Sequence, residues 1–128
     1  MVAFEDGSGQ PAFGEHPLGL LRFNENMHYV EVLMDGDTPR VASGQIGEGT
    51  AEENAAIAAK TIGMFGTYSV DEDGNFTGDQ VEGSTFPNWI GDVRTRKDIS
   101  VRVEGDRMDE TFHQPGGATI NLVWHRVS

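Results

Sequence analysis

Short runs in which apolar and polar side chains alternate recur along most of this chain, and glycine-bearing turns close them off. A period of two is the mark of a strand with one buried face. The 17 glycines fall between these runs rather than in one linker, so many tight turns are required. Leu18–Asn24 sets Gly19, Leu21 and Phe23 against Leu20, Arg22 and Asn24. After Glu25-Asn26-Met27 the segment His28–Met34 alternates again, which reads as a hairpin. Gly66–Val70 leads through Asp71-Glu72-Asp73-Gly74-Asn75 into Phe76–Ser84, and Asp, Gly and Asn take positive φ at low cost. Val93–Val103 reads as one strand, with Ile99, Val101 and Val103 on one face and Arg94, Arg96, Ser100 and Arg102 on the other. It turns at Glu104-Gly105-Asp106 into Arg107–His113, which Gln114-Pro115-Gly116-Gly117 breaks. Thr119–Val127 then sets Ile120, Leu122 and Trp124 against Asn121, Val123 and His125.

One segment has a different period. Thr50-Ala51-Glu52-Glu53 is a capping box, in which the Thr50 hydroxyl and the Glu53 carboxylate each accept from a free backbone N–H. Ala55, Ala58, Ile62 and Phe65 follow at helical spacing, and Gly66 is placed to end a helix of roughly four turns. With Val2–Glu5 as a partial first strand, the count is eight strands and one helix in a single domain over 1–128. Such a set suits either a sandwich or an up-and-down barrel, and composition does not choose between them.

At 128 residues the chain can bury one core. It has no cysteine, so disulfides, thiol nucleophiles and thiolate metal sites are excluded. The first ninety residues hold only Arg22, Arg40 and Lys60 as basic side chains and carry the whole net charge of −12. That acidity argues against nucleic acid or an anionic membrane as a partner. No apolar stretch is long enough to cross a bilayer, and Met1–Asp6 lacks the basic and apolar segments of a secretory signal, so a cytoplasmic setting is expected. Neither a P-loop nor a dinucleotide-binding glycine motif is present, and no cofactor is expected.

The runs Phe13-Gly14-Glu15-His16-Pro17-Leu18-Gly19, Phe65-Gly66-Thr67-Tyr68-Ser69-Val70-Asp71 and Val81-Glu82-Gly83-Ser84-Thr85-Phe86-Pro87-Asn88-Trp89-Ile90-Gly91 resemble the family of small bacterial and fungal lipocalin-like domain proteins. Glu104-Gly105-Asp106-Arg107 and Leu122-Val123-Trp124 follow in the order expected of that family. The resemblance implies a mainly β fold, an eight-stranded antiparallel lipocalin-like (calycin-type) barrel with an internal cavity, here with an apparently shortened first strand. It also implies binding of a small apolar or amphipathic molecule. Three features depart from the pattern: the missing first half of strand one, Glu31 where an aliphatic residue is usual, and His125 where an acid usually follows the last Trp. A shortened first strand would leave an edge that a second copy could cover, giving a homodimer.

Glu31 alternates with Tyr29 and Leu33 on the more apolar face of its strand. If that face is interior, burial raises its pKa and makes it an acid–base group near neutral pH. If the face is reversed, Glu31 is a solvated surface residue. Arg22 on the neighbouring strand is its candidate partner, as an interior ion pair or a surface contact. The histidines, His16, His28, His113 and His125, show no metal-ligand spacing, so no metal site is expected. His28 and His113 are the candidate acid–base partners of Glu31. Arg22, Tyr29, Tyr68, Trp89 and Trp124 are the candidate ligand contacts, offering flat apolar area with polar handles. For Trp124, core packing accounts for the residue at least as well. Two functions are compatible with this pattern: a binding module for a small apolar molecule, and a cofactor-free isomerase, cyclase or hydrolase using the same cavity.

Overall fold

The computed structural model describes residues 2–5, 13–114 and 119–127, the first of these by backbone alone. Among them are nine strands: β1 (Val2–Glu5), β2 (Pro17–Phe23), β3 (His28–Asp35), β4 (Thr61–Val70), β5 (Phe76–Ser84), β6 (Val93–Thr95), β7 (Ile99–Glu104), β8 (Arg107–His113) and β9 (Thr119–His125). Helix α1 (Ala51–Ala59) precedes β4, and one 3-10 turn spans Pro87–Trp89. Every strand pairing is antiparallel. A five-stranded sheet runs β2-β3-β4-β5-β6 and a four-stranded sheet runs β1-β9-β8-β7. Within each sheet consecutive strands pair in chain order, from β2 to β6 and from β7 to β9, and β9 pairs on its other side with β1. The inner faces meet: Leu33 of β3 packs with Leu122 of β9, and the Arg94 guanidinium of β6 lies over the Phe112 ring of β8.

The eight-stranded barrel expected from the sequence is therefore met only in its coarser features. The fold is mainly β, antiparallel and carries one helix, but hydrogen-bonded pairing does not close into a ring among the described residues. The expected strand Val93–Val103 is two strands. Asp98 accepts from the Thr95 backbone N–H at 2.9 Å, and the Asp98 N–H donates to the Thr95 carbonyl at 2.9 Å, folding Arg96-Lys97-Asp98 into a turn. The buried parity shifts across that turn, from Arg94 to Ile99, where the chain passes from one sheet to the other.

The helix starts where the capping box places it: the Glu53 N–H donates to Thr50 Oγ1 at 3.1 Å and the Thr50 N–H to Glu53 Oε1 at 2.8 Å. It stops a turn and a half sooner than expected, because Thr61 onward joins β4. Gly63 and Gly66 disfavour helix, and β4 instead pairs Ile62 with Leu33 and Phe65 with Val30. Helix α1 buries none of its residues, so propensity and its cap hold it rather than packing. Phe65, expected on the helix stripe, lies 53% exposed on the outer face of the sheet. The break at Gln114-Pro115-Gly116-Gly117 falls mostly outside the described residues. The turns after β2, β4 and β7 lie where the sequence puts them.

Candidate functional site

Alternation along β3 turns Tyr29, Glu31, Leu33 and Asp35 inward, and all four are buried. The register sets Glu31 between Leu21 of β2 and Met64 of β4. On β5 the inward residues include Asp79 and Val81, and Asp79 stands directly opposite Arg94 of β6. From the other sheet, Glu110 of β8 sits between Val101 of β7 and Leu122 of β9. Four ionisable side chains thus point into one interior: Glu31 is 3% exposed, Arg94 5%, Glu110 6% and Asp79 8%.

Arg94 is held by aromatic faces. Its guanidinium carbon lies 4.4 Å from the centre of the Phe112 ring and 4.9 Å from that of Trp89, a cation–π clamp, and Nη1 points at the Met64 sulfur at 4.0 Å. Glu110 accepts a hydrogen bond from the Trp124 indole N–H at 3.1 Å. Other groups are left without partners: the Tyr29 hydroxyl, Glu31 Oε1, Asp79 Oδ1, and Nε and Nη2 of Arg94. Leu21, Phe23, Met64, Phe76, Ile99 and Val101 complete a cavity walled by Tyr29, Glu31, Asp79 and Glu110. The free space inside it is about 10 Å³, on the order of what a single water needs. The open chamber implied by a lipocalin-like barrel is thus nearly filled by side chains. Phe23, 37% exposed and packed against Tyr29, Tyr68 and Phe76, is the most exposed part of the wall.

One guanidinium faces three carboxyl groups, and protons take up the difference. Burial pushes Asp79 up to about 6 against the pull of Arg94. Glu31 and Glu110 are both raised, again chiefly by burial. Glu110 is drawn back by the Trp124 hydrogen bond, whereas Glu31 is raised further by Glu110. Burial also raises the Tyr29 phenol, which stays protonated as a donor. The arrangement presents neutral and charged carboxyls side by side in an apolar setting, which suits hydrogen bonding to a guest or proton exchange with one.

Tyr29, Glu31, Trp89 and Trp124 come together around this interior, with Tyr68 packed beside them. Tyr68 spends its hydroxyl on the Asn24 carbonyl at 2.6 Å, tying the β2–β3 hairpin down. Arg22 lies elsewhere. It pairs with Val30, one position off Glu31, so its side chain leaves the opposite face, where Nε donates to Asn24 Oδ1 at 2.9 Å. The Arg22–Glu31 pair is therefore absent, and Arg94 is the cation inside. His28 and His113 are exposed, the latter with its Nδ1 3.2 Å from Thr119 Oγ1, so neither reaches Glu31. Sequence reasoning missed Asp79, Glu110 and Arg94. The rule that singled out Glu31 also finds Glu110, which alternates with Met108 and Phe112, and Asp79, which alternates with Val81. Arg94 was hidden by the turn at Arg96-Lys97-Asp98, which shifts the parity of the strand. Among the described residues no set of three or more acidic or histidine side chains is placed to hold a metal ion. None of their helices is long and apolar enough to cross a membrane.

A family model described as a lipocalin-like domain matches residues 1–127. Comparisons with curated proteins and with solved structures gave no match. With that match running nearly the whole length of a chain whose antiparallel strands fold about one interior, the chain belongs to the lipocalin-like domain family.

Proposed function

We propose that the domain binds a small, largely apolar molecule in the polar part of its interior, with Tyr29, Glu31 and Asp79 meeting its polar end. The observation that carries this reading is the set of three buried oxygens without partners on residues of the cavity wall, on Tyr29, Glu31 and Asp79. A buried group without a hydrogen bond costs about 1–3 kcal/mol, and a domain's whole stability is about 5–15 kcal/mol. Groups of that cost gathered at one place are best accounted for by a guest that supplies the missing bonds. Leu21, Phe23, Phe76 and Ile99 provide apolar walls, and Trp124 reaches the wall through its hydrogen bond to Glu110. Because the free space is so small, entry on this reading requires Phe23 and Phe76 to swing outward. A thermal-shift and tryptophan-fluorescence screen against lipophilic small molecules tests it. Binders should raise the melting temperature and change the emission, and silence across the whole library would sink the reading.

A second reading is favoured by the raised carboxyl groups: acid–base catalysis on a bound molecule by Glu31, with Asp79 or Glu110 rather than a histidine as its partner. Glu31→Gln keeps the shape and removes the proton exchange. Full turnover of any transformed guest by that variant would remove Glu31 from the role.

A further inference from the structure

We propose that the polar end of the guest is a primary ammonium group, so that the domain takes amphipathic amines rather than fatty or aromatic acids. The inference rests on the binding reading above and adds the chemistry of the recognised group. Three oxygens without partners belong to the cavity wall: the Tyr29 hydroxyl, Glu31 Oε1 and Asp79 Oδ1. Their side chains are more than nine-tenths buried, at 4%, 3% and 8% exposure. A primary ammonium has three donors and no acceptor, which matches three oxygens able to accept. Hydrogen bonds between a cation and a carboxylate are among the stronger ones a protein makes.

The cation of the interior does not offset this. Arg94 is outside the cavity wall, clamped between Trp89 and Phe112 with Nη1 on Met64. Its Nε and Nη2 are the donors among the atoms without partners, and a bound carboxylate would have to lie among Glu31, Asp79 and Glu110 to reach them. A carboxylate there would push the three carboxyls further toward their neutral forms, whereas an ammonium favours their charged forms. Phe23, Tyr29 and Phe76 add ring faces to the wall, and ring faces attract cations. The strongly acidic chain also draws cations and repels anions at long range.

The test compares hexylammonium, hexanoate and hexan-1-ol, three probes with one tail and different heads, binding to the whole chain at pH 7.5. Binding is read by tryptophan emission and by melting temperature. Hexylammonium should bind at least about tenfold more tightly than either of the others, the size of effect one charge-assisted bond gives. In the Glu31→Gln/Asp79→Asn double variant that preference should fall to about twofold or less, since neither amide can take up a negative charge against the ammonium. Equal binding of hexan-1-ol and hexylammonium would overturn the ammonium assignment while leaving a binding site. Tighter binding of hexanoate would reverse it in favour of Arg94. No response to any of the three would overturn it, and the lipophilic screen then decides separately on the binding reading. If the double variant does not fold, the three probes on the unaltered chain still decide.

Discussion

The interior has two ends built on opposite rules. At one, Phe13, Leu33 and Leu122 are buried together, with Ile62, Ile120 and Trp124 packed against them. At the other, Tyr29, Met64 and Val81 are joined by Glu31, Asp79 and Arg94, and several polar atoms have no partner, with Glu110 at the border, across from Leu122 and bonded to Trp124. The same strand supplies both: Leu33 faces the apolar end, and Glu31, two residues earlier, faces the polar one. Apolar packing stabilises the fold in proportion to the area taken from water, whereas an unsatisfied buried carboxyl opposes folding. The contrast separates the part of the interior that holds the domain together from the part that is held open to chemistry.

The largest effect should come from the apolar end. Leu122→Ala removes a side chain that touches both sheets and should lower the unfolding free energy by about 2–5 kcal/mol in denaturant titration. A loss below about 1 kcal/mol would mean that this end is not the core.

The polar end should show itself next through pH. A group whose pKa is raised on folding holds more protons in the folded state, so its contribution to stability falls as pH rises through the folded value. For Asp79 the window runs from the ordinary 3.8 to about 6. The expected loss across it is on the order of 3 kcal/mol. Glu31 and Glu110 are shifted in the same direction and deepen the trend. Asp71, held first by the Asn75 backbone N–H and then by Arg96, and Asp109, paired with Arg107, are lowered instead, so their contributions are present above the ordinary carboxylate range and fade below it. The domain should therefore melt at a higher temperature at pH 5 than at pH 8, and Asp79→Asn should flatten that slope. A melting temperature that rises steadily from pH 5 to pH 8 would contradict the burial of these groups.

Glu31→Leu should then stabilise the protein by about 1–3 kcal/mol at pH 8, since an apolar side chain replaces an unpaired buried carboxyl, the opposite sign to Leu122→Ala. Glu110 differs, because its removal strands the Trp124 N–H, and Glu110→Leu should gain nothing. The smallest effects belong to the outer surface. Arg22→Ala and His113→Ala should each change the unfolding free energy by less than about 0.5 kcal/mol and leave guest binding unaltered.

Much of this was legible in the residues. The two-residue period located most of the strands and put Glu31 on one face with Tyr29 and Leu33, but it did not say whether that face is the interior, which depends on how the two sheets meet. The capping box at Thr50 and Glu53 fixed the start of α1, because a cap is a local set of hydrogen bonds. Its end was not legible, since Ile62 and Phe65 fit a helical stripe as well as they fit β4, and pairing with β3 decides between the two. Arg94 was unreadable for a related reason: parity along a strand is lost wherever a short turn intervenes. The scant interior space depends on how side chains from two sheets interdigitate, which no periodicity reports. Asp79 and Glu110 were readable by the same alternation that singles out Glu31, since each alternates with apolar neighbours on its strand.

Side-chain carboxyl resonances followed through a pH titration of the unliganded protein test the central claim most directly. The account predicts that Asp79 titrates near 6, with Glu31 and Glu110 both above the ordinary 4.5 of a glutamate. Midpoints for all three in the ordinary range, near 3.8 for the aspartate and 4.5 for the glutamates, would place these groups in water and contradict a polar interior site.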